Sequence, residues 1–140
     1  MIRPFKTTDL DSIMQIWLSS NIDTHDYIPE SYWISNYESV KEIIPNADLY
    51  ILEENNRIGG FMGIMEGYIA GIFVRKELRS QGFGHTLLSE AKARYPKLTL
   101  SVYSKNSKAI KFYQREEFHI ISASIDKDTG EEEVLMQWEA

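Results

Sequence analysis

Tyr68-Ile-Ala-Gly-Ile-Phe-Val74, then Arg75-Lys-Glu-Leu-Arg79-Ser-Gln-Gly82-Phe-Gly84, then His85-Thr-Leu-Leu88 and onward to Tyr95, is the stretch around which the rest of the chain is arranged. From Ile69 to Val74 it is short and almost wholly apolar, which reads as a buried strand. Its last part reads as a helix, because Gly84, Leu87, Leu88, Ala91 and Tyr95 recur on one helical face. Between them lies a polar turn that ends in Gly82 and Gly84. A helix start leaves backbone N–H groups without partners and carries partial positive charge. Glycines let a ligand approach that backbone closely, and Arg79 adds a full charge. Strand, basic glycine turn and helix together predict an anion site, best matched to a pyrophosphate. The same glycines also have a plainer reading, as relief for a tight turn.

Two common phosphate loops do not fit. A P-loop ends in Gly-Lys-Ser/Thr, whereas His85-Thr86 follows Gly84. A dinucleotide fingerprint needs a third glycine where Leu87 stands, and an acidic residue after the second strand, which here ends in Val102-Tyr103-Ser104. The run Arg79-Ser80-Gln81-Gly82-Phe83-Gly84 instead resembles the Arg/Gln-x-x-Gly-x-Gly/Ala loop of the GNAT N-acetyltransferase superfamily, which binds the pyrophosphate of acetyl-CoA. Further on, Leu98-Thr99-Leu100-Ser101-Val102 reads as a strand. Asn106-Ser107-Lys108-Ala109-Ile110-Lys111-Phe112-Tyr113 then resembles the Asn-x-x-Ala-x-x-Phe-Tyr segment of the same superfamily. The two motifs stand in the family's order, one helix and one strand apart. One position departs from it: the family usually has Gly before the final Phe, and here Glu117 precedes Phe118. A glycine there closes a helix in the left-handed conformation, so Glu117 puts the local turn in question.

Composition sets outer limits. The chain has 140 residues, 43% of them hydrophobic, enough for one domain with a real core. We read residues 1–140 as a single domain. There is no cysteine, which removes disulfides, thiolate metal sites and a cysteine nucleophile together. No histidine or acid cluster has a recognisable metal-ligand spacing, so no metal is expected. The formal charge of −6 argues against nucleic acid, which needs a basic face, and suits a cationic acceptor. No apolar run approaches a membrane span and no signal peptide is evident, so neither membrane nor export is expected, and a cytoplasmic protein is. Monomer and homodimer both stay open.

Working outward, Met1–Phe5 reads as a first strand. Leu10, Ile13, Met14, Trp17 and Leu18 mark a helix behind a cap at Thr8 or Asp9. Asn21–Ile28 is polar and reads as a loop holding His25 and Asp26. Pro29 opens a second helix, Glu30–Ile44, with Tyr32 and Trp33 in its first turn, and Pro45 stops it. Leu49–Glu53 and Ile58–Met65 form a hairpin across Asn55-Asn56. Phe118–Asp126 and Glu133–Trp138 form another. The order β-α-α-β-β-β-α-β-α-β-β matches the GNAT order over essentially the whole chain. Thr24-His25-Asp26 and Tyr32-Trp33 also resemble this region in the small bacterial YiaC/YjaB-type subgroup. The resemblance implies an α/β GNAT fold: a mixed central sheet, splayed between its fourth and fifth strands, with helices on both faces.

Acetyl transfer requires a polarised thioester, a neutral amine and a proton for the departing thiolate. The resemblance implies that backbone groups of Ile72, Phe73 and Val74 hold the pantetheine arm, with a bulge in the fourth strand freeing an N–H for the carbonyl. It implies Arg79, Ser80, Gln81, Gly82, Phe83, Gly84 and His85 for the pyrophosphate. The resemblance implies Asn106 as a cofactor contact; it can also cap its own helix, and the two roles are compatible. Tyr113 matches the family tyrosine that protonates the thiolate; a phenol of pKa about 10 keeps its proton at neutral pH. Some members place a glutamate base on the fourth strand, where this chain has Tyr68. Glu66 lies two residues earlier, on the same face if the strand continues. His25 is the other candidate base. His25, Tyr32, Trp33 and Tyr68 would wall the acceptor pocket.

These readings converge on acetyl-CoA-dependent N-acetylation by direct transfer in a ternary complex. The expected acceptor is a protein or peptide lysine, on subgroup resemblance and acidic charge. Small amines such as polyamines, aminoglycosides or amino-acid derivatives remain an alternative, as does a non-catalytic CoA-binding regulatory module.

Overall fold

A computed structural model describes residues 1–140. Seven strands form one sheet in the order β1-β2-β3-β4-β5-β7-β6. The strands are β1 (Ile2–Pro4), β2 (Asp48–Glu54), β3 (Arg57–Met65), β4 (Tyr68–Val74), β5 (Lys97–Tyr103), β6 (His119–Ile125) and β7 (Glu132–Glu139). Four helices accompany them: α1 (Leu10–Thr24), α2 (Glu30–Ile43), α3 (Phe83–Arg94) and α4 (Ser107–Arg115). Alternating side chains divide the core between the two faces of the sheet. Ile13, Met14, Ile16 and Trp17 of α1, with Trp33 of α2, pack on Leu49, Ile51 and Phe61. On the other face Leu87, Leu88 and Ala91 of α3 pack on Leu52, Met62, Ile64, Ile69, Leu98 and Leu100, and α4 joins them through Phe112 and Tyr113. No helix is long and apolar enough to cross a membrane.

The β4–β5 pair is parallel and stays in register only at Tyr68↔Thr99 and Ile69↔Leu100. Beyond that point the two strands diverge, and Ala70 and Ser101 are exposed in mid-sheet. β4 also bulges. Gly63 pairs with Gly71 and Ile64 with Ile69, so Ala70 is an extra residue whose backbone groups leave the β3 ladder. The mixed sheet, the splay, the bulge and helices on both faces are thus all as expected.

Two local readings need correction. Asn21–Thr24 continues α1 instead of forming a loop. The reason is local: the Asn21 amide donates to the Trp17 carbonyl at 2.9 Å, so a polar, loop-favouring side chain is satisfied inside the helix. Nor does the strand continue through Glu66. Glu66 (φ 51) and Gly67 (φ 81) form a tight left-handed turn between Met65 and Tyr68, which pair with each other.

Candidate active site

The splay opens into two adjoining cavities of about 350 and 360 Å³ that share Thr24, Ile72, Val74, Arg79, Asn106, Ala109 and Tyr113. Together they form one cleft between the diverging strands, of a size suited to a small-molecule ligand.

One cavity is built on the glycine turn. Gly82 precedes α3 at φ 85, a left-handed conformation that a side chain would strain. The first bonded N–H is that of Thr86, which returns to the Gly82 carbonyl at 3.0 Å. The helical N–H groups before it have no partner within the helix and can receive an anion. Arg79, Ser80, Gly82, Phe83, Gly84 and His85 line this cavity. Gln81 does not; its amide turns back to the Glu77 carbonyl at 3.1 Å. Gly84 serves a second purpose, since a Cβ there would stand 3.0 Å from the Phe112 ring of α4. Lys108 and Arg115 also face the cavity. Sequence reading missed both, although their spacing, two helical turns, places them on one side of α4.

Two members of the turn, Arg79 and His85, already have acidic partners. Arg79 donates to Asp23 at 2.8 Å, to Ser20 at 3.4 Å and to the Val74 carbonyl at 3.0 Å. An entering phosphate therefore competes with Asp23. His85 meets the Glu116 carboxylate at 2.8 Å, which ties α3 to the end of α4.

The other cavity lies towards α1 and α2. Trp17, Thr24, His25, Trp33 and Tyr103 line it beside Ala70–Val74. His25 stacks on Trp33 with ring centres 5.4 Å apart and meets Tyr103 edge-on at 5.2 Å. The buried His25 Nδ1 and Trp33 Nε1 have no hydrogen-bond partner in the chain. Burial holds the His25 pKa below its ordinary value, offset in part by the neighbouring Asn21 carbonyl, so the ring is neutral at pH 7. Tyr103 was read only as a strand end; here its hydroxyl donates to Asp126 at 2.8 Å.

The remaining expected residues separate into two groups. Asn106 caps α4, accepting from the Ala109 N–H at 3.2 Å, and also lines both cavities. Tyr113 also lines both, and burial pushes its phenol up to about 12. Tyr32, Tyr68 and Glu66 do not line the cleft. Tyr32 meets Trp33 edge-on at 4.9 Å, one layer out. Tyr68 sits at the closed end of the splay, where β4 still pairs with β5. Glu66 is exposed in the turn before it. No group of three or more His, Cys, Asp or Glu side chains is arranged to hold a metal ion.

Comparison with known proteins places this geometry. Residues 25–140 match the model of the acetyltransferase (GNAT) domain. The chain belongs to the GNAT acetyltransferase family. It is an N-acetyltransferase that uses acetyl-CoA and an amine acceptor. It is 34% identical over 140 residues to the peptidyl-lysine N-acetyltransferase YiaC of Escherichia coli, covering 99% of this chain and 96% of that protein. Among solved structures, apo YjaB from Escherichia coli superposes with a TM-score of 0.87 at 24% identity, over 99% of this chain and 96% of that one. The yncA protein from Salmonella typhimurium, solved with its cofactor acetyl-CoA, gives a TM-score of 0.69 at 15% identity, over 99% and 92%. At those identities the two structural matches speak to the fold.

Proposed function

We propose that this chain, acting as one domain over residues 1–140, acetylates the ε-amine of a peptidyl lysine by direct transfer within a ternary complex. The observation that carries the reading is the single cleft through the splay. A cradle of helix N–H groups and basic side chains lies on one side of it, and an aromatic-lined pocket on the other. An unbranched alkylamine can reach the bulge at Ala70 from the aromatic side, and the 34% identity to a peptidyl-lysine N-acetyltransferase supports lysine as its source.

In this mechanism Arg79, Lys108, Arg115 and the N–H groups of Gly82–His85 hold the phosphates of acetyl-CoA. The freed edges of Ile72–Val74 pair with the pantetheine arm, and a backbone N–H at the Ala70 bulge polarises the thioester carbonyl. His25, whose neutral ring lines the cleft, takes the proton of the incoming amine, directly or through a water. It replaces Glu66, whose turn points away from the cleft. Tyr113 gives its proton to the departing sulfur. Trp33 forms the wall against which the lysine stem lies, supported from behind by Tyr32.

The test is a mass-spectrometric acceptor screen. The enzyme and acetyl-CoA are offered lysine-bearing peptides, polyamines and aminoglycosides in parallel. Acetylation at internal lysine ε-amines, with kcat/KM well above that for the small amines, is the expected result. Turnover of small amines alone would overturn the lysine assignment. CoA binding without any turnover would recast the chain as a regulatory module.

A further inference from the structure

Beside the cleft lies a third cavity, of about 230 Å³, between the C-terminal half of α2 and the sheet. Val40, Ala47, Phe61 and Gly63 help to form its walls, and no charged side chain lines it. It shares Trp17, Ala70, Gly71 and Phe73 with the aromatic side of the cleft. The two spaces therefore meet at the β4 bulge. Under the reading above, that bulge is where the thioester carbonyl rests, and the present inference depends on that reading. A group bonded to the carbonyl carbon at this point can extend away from the pantetheine arm into the third cavity.

The chemistry of the walls selects the occupant. A protonated amine entering an apolar space would lose its water without gaining a counter-charge, which is strongly unfavourable. A hydrocarbon chain gains from the same transfer. An acetyl methyl leaves most of the space empty, whereas apolar protein cavities of about 150 Å³ already admit a six-carbon ring. We propose that this cavity is an acyl-chain pocket, and that the enzyme accepts butyryl-CoA and similar linear acyl-CoA thioesters as well as acetyl-CoA. The reaction is otherwise unchanged. The amine nitrogen bonds the acyl carbon, the carbon–sulfur bond breaks with its electron pair leaving on sulfur, and one amine proton is lost as sulfur gains one.

Calorimetric titration of the full chain with CoA, acetyl-CoA and butyryl-CoA tests this without any acceptor. Each buried methylene strengthens binding by about threefold to fourfold, so butyryl-CoA should bind about tenfold more tightly than acetyl-CoA. Ala47→Phe, which fills the cavity away from the cleft, should abolish that difference and leave acetyl-CoA affinity within about twofold. Ala47→Leu is the smaller change if Phe disturbs folding, and circular dichroism reports on both. Equal or weaker binding of butyryl-CoA by the native chain would overturn the pocket. So would equal losses for both thioesters in a folded Ala47 variant. Failure of all three ligands to bind would instead overturn the cofactor reading of the cleft, and this inference with it.

Discussion

Tyr113 carries a phenol to the point where the two cavities of the cleft meet, and burial alone raises its pKa. No side chain or carbonyl of the chain hydrogen-bonds it, so Tyr113→Phe removes a proton donor without breaking an internal bond. We expect kcat to fall by about 10²–10⁴-fold, with acetyl-CoA affinity and thermal stability nearly unchanged. Single-turnover measurement with acetyl-CoA prebound keeps slow product release from hiding the loss. A normal single-turnover rate would remove Tyr113 from the chemistry. His25 makes a different prediction. Its folded-state pKa lies below the ordinary 6.5 because burial penalises the imidazolium. Between the folded value and 6.5 the unfolded chain therefore binds a proton that the folded chain does not. Stability is fully present above 6.5 and is lost as pH falls through that window, by at most about 1.4 kcal/mol per pH unit from this one group. Urea melts at pH 7.5 and 5.5 should show a larger drop for the native chain than for His25→Phe, which keeps a ring against Trp33. Equal drops would mean that His25 titrates normally in the fold.

At the C-terminus of α4 the fold retains a turn for which its sequence is poorly suited. Glu117 adopts φ 71. Its N–H bonds the Gln114 carbonyl at 3.0 Å, and the Phe118 N–H reaches back to Tyr113 at 2.9 Å, the pattern of a helix closed by a left-handed residue. The Phe118 and Tyr113 rings meet 5.8 Å apart across the turn. A non-glycine residue in this conformation costs roughly 1–2 kcal/mol. Glu117→Gly should therefore stabilise the protein by about 1 kcal/mol after the added freedom of the unfolded glycine is counted. A urea midpoint that stays put or falls would show that the Glu117 side chain offsets the strain. The glycine turn, the Asn106 cap and the Tyr113 helix were legible because each depends on neighbours a few residues apart. The Arg79–Asp23 and His85–Glu116 pairs were not, because their partners lie 56 and 31 residues away. Gln81 points away from the cleft for a local reason, a carbonyl one turn back, that no motif encodes. Glu66 was misplaced because an apolar alternation does not mark where a hairpin turns. The pair Glu66-Gly67, with glycine second, was the available signal.

Across the whole molecule, two cavities adjoin where the sheet splays. α3 and α4 on one face position the basic cradle, and α1 and α2 on the other position the aromatic pocket. The cavities on the two sides share seven residues, so ligands in both would touch each other beside Ile72, Val74 and Tyr113 rather than exclude one another. With no cysteine in the chain, a thioester intermediate on the protein is impossible. Proximity must then supply much of the acceleration, since holding amine and thioester together turns a bimolecular step into an effectively unimolecular one. This architecture predicts a sequential mechanism. Initial velocities measured at several fixed acetyl-CoA concentrations, with the lysine peptide varied, should give double-reciprocal lines that intersect. Parallel lines would require an acetylated enzyme that survives release of CoA, and hence a nucleophile such as His25 carrying the acetyl group. The two cases separate further in a simple exchange experiment. Enzyme mixed with acetyl-CoA and labelled CoA, without any amine, should exchange no label if transfer is direct, because the carbon–sulfur bond breaks only when the amine is in place. Exchange at a rate comparable to kcat would show that the two halves of the cleft work in turn.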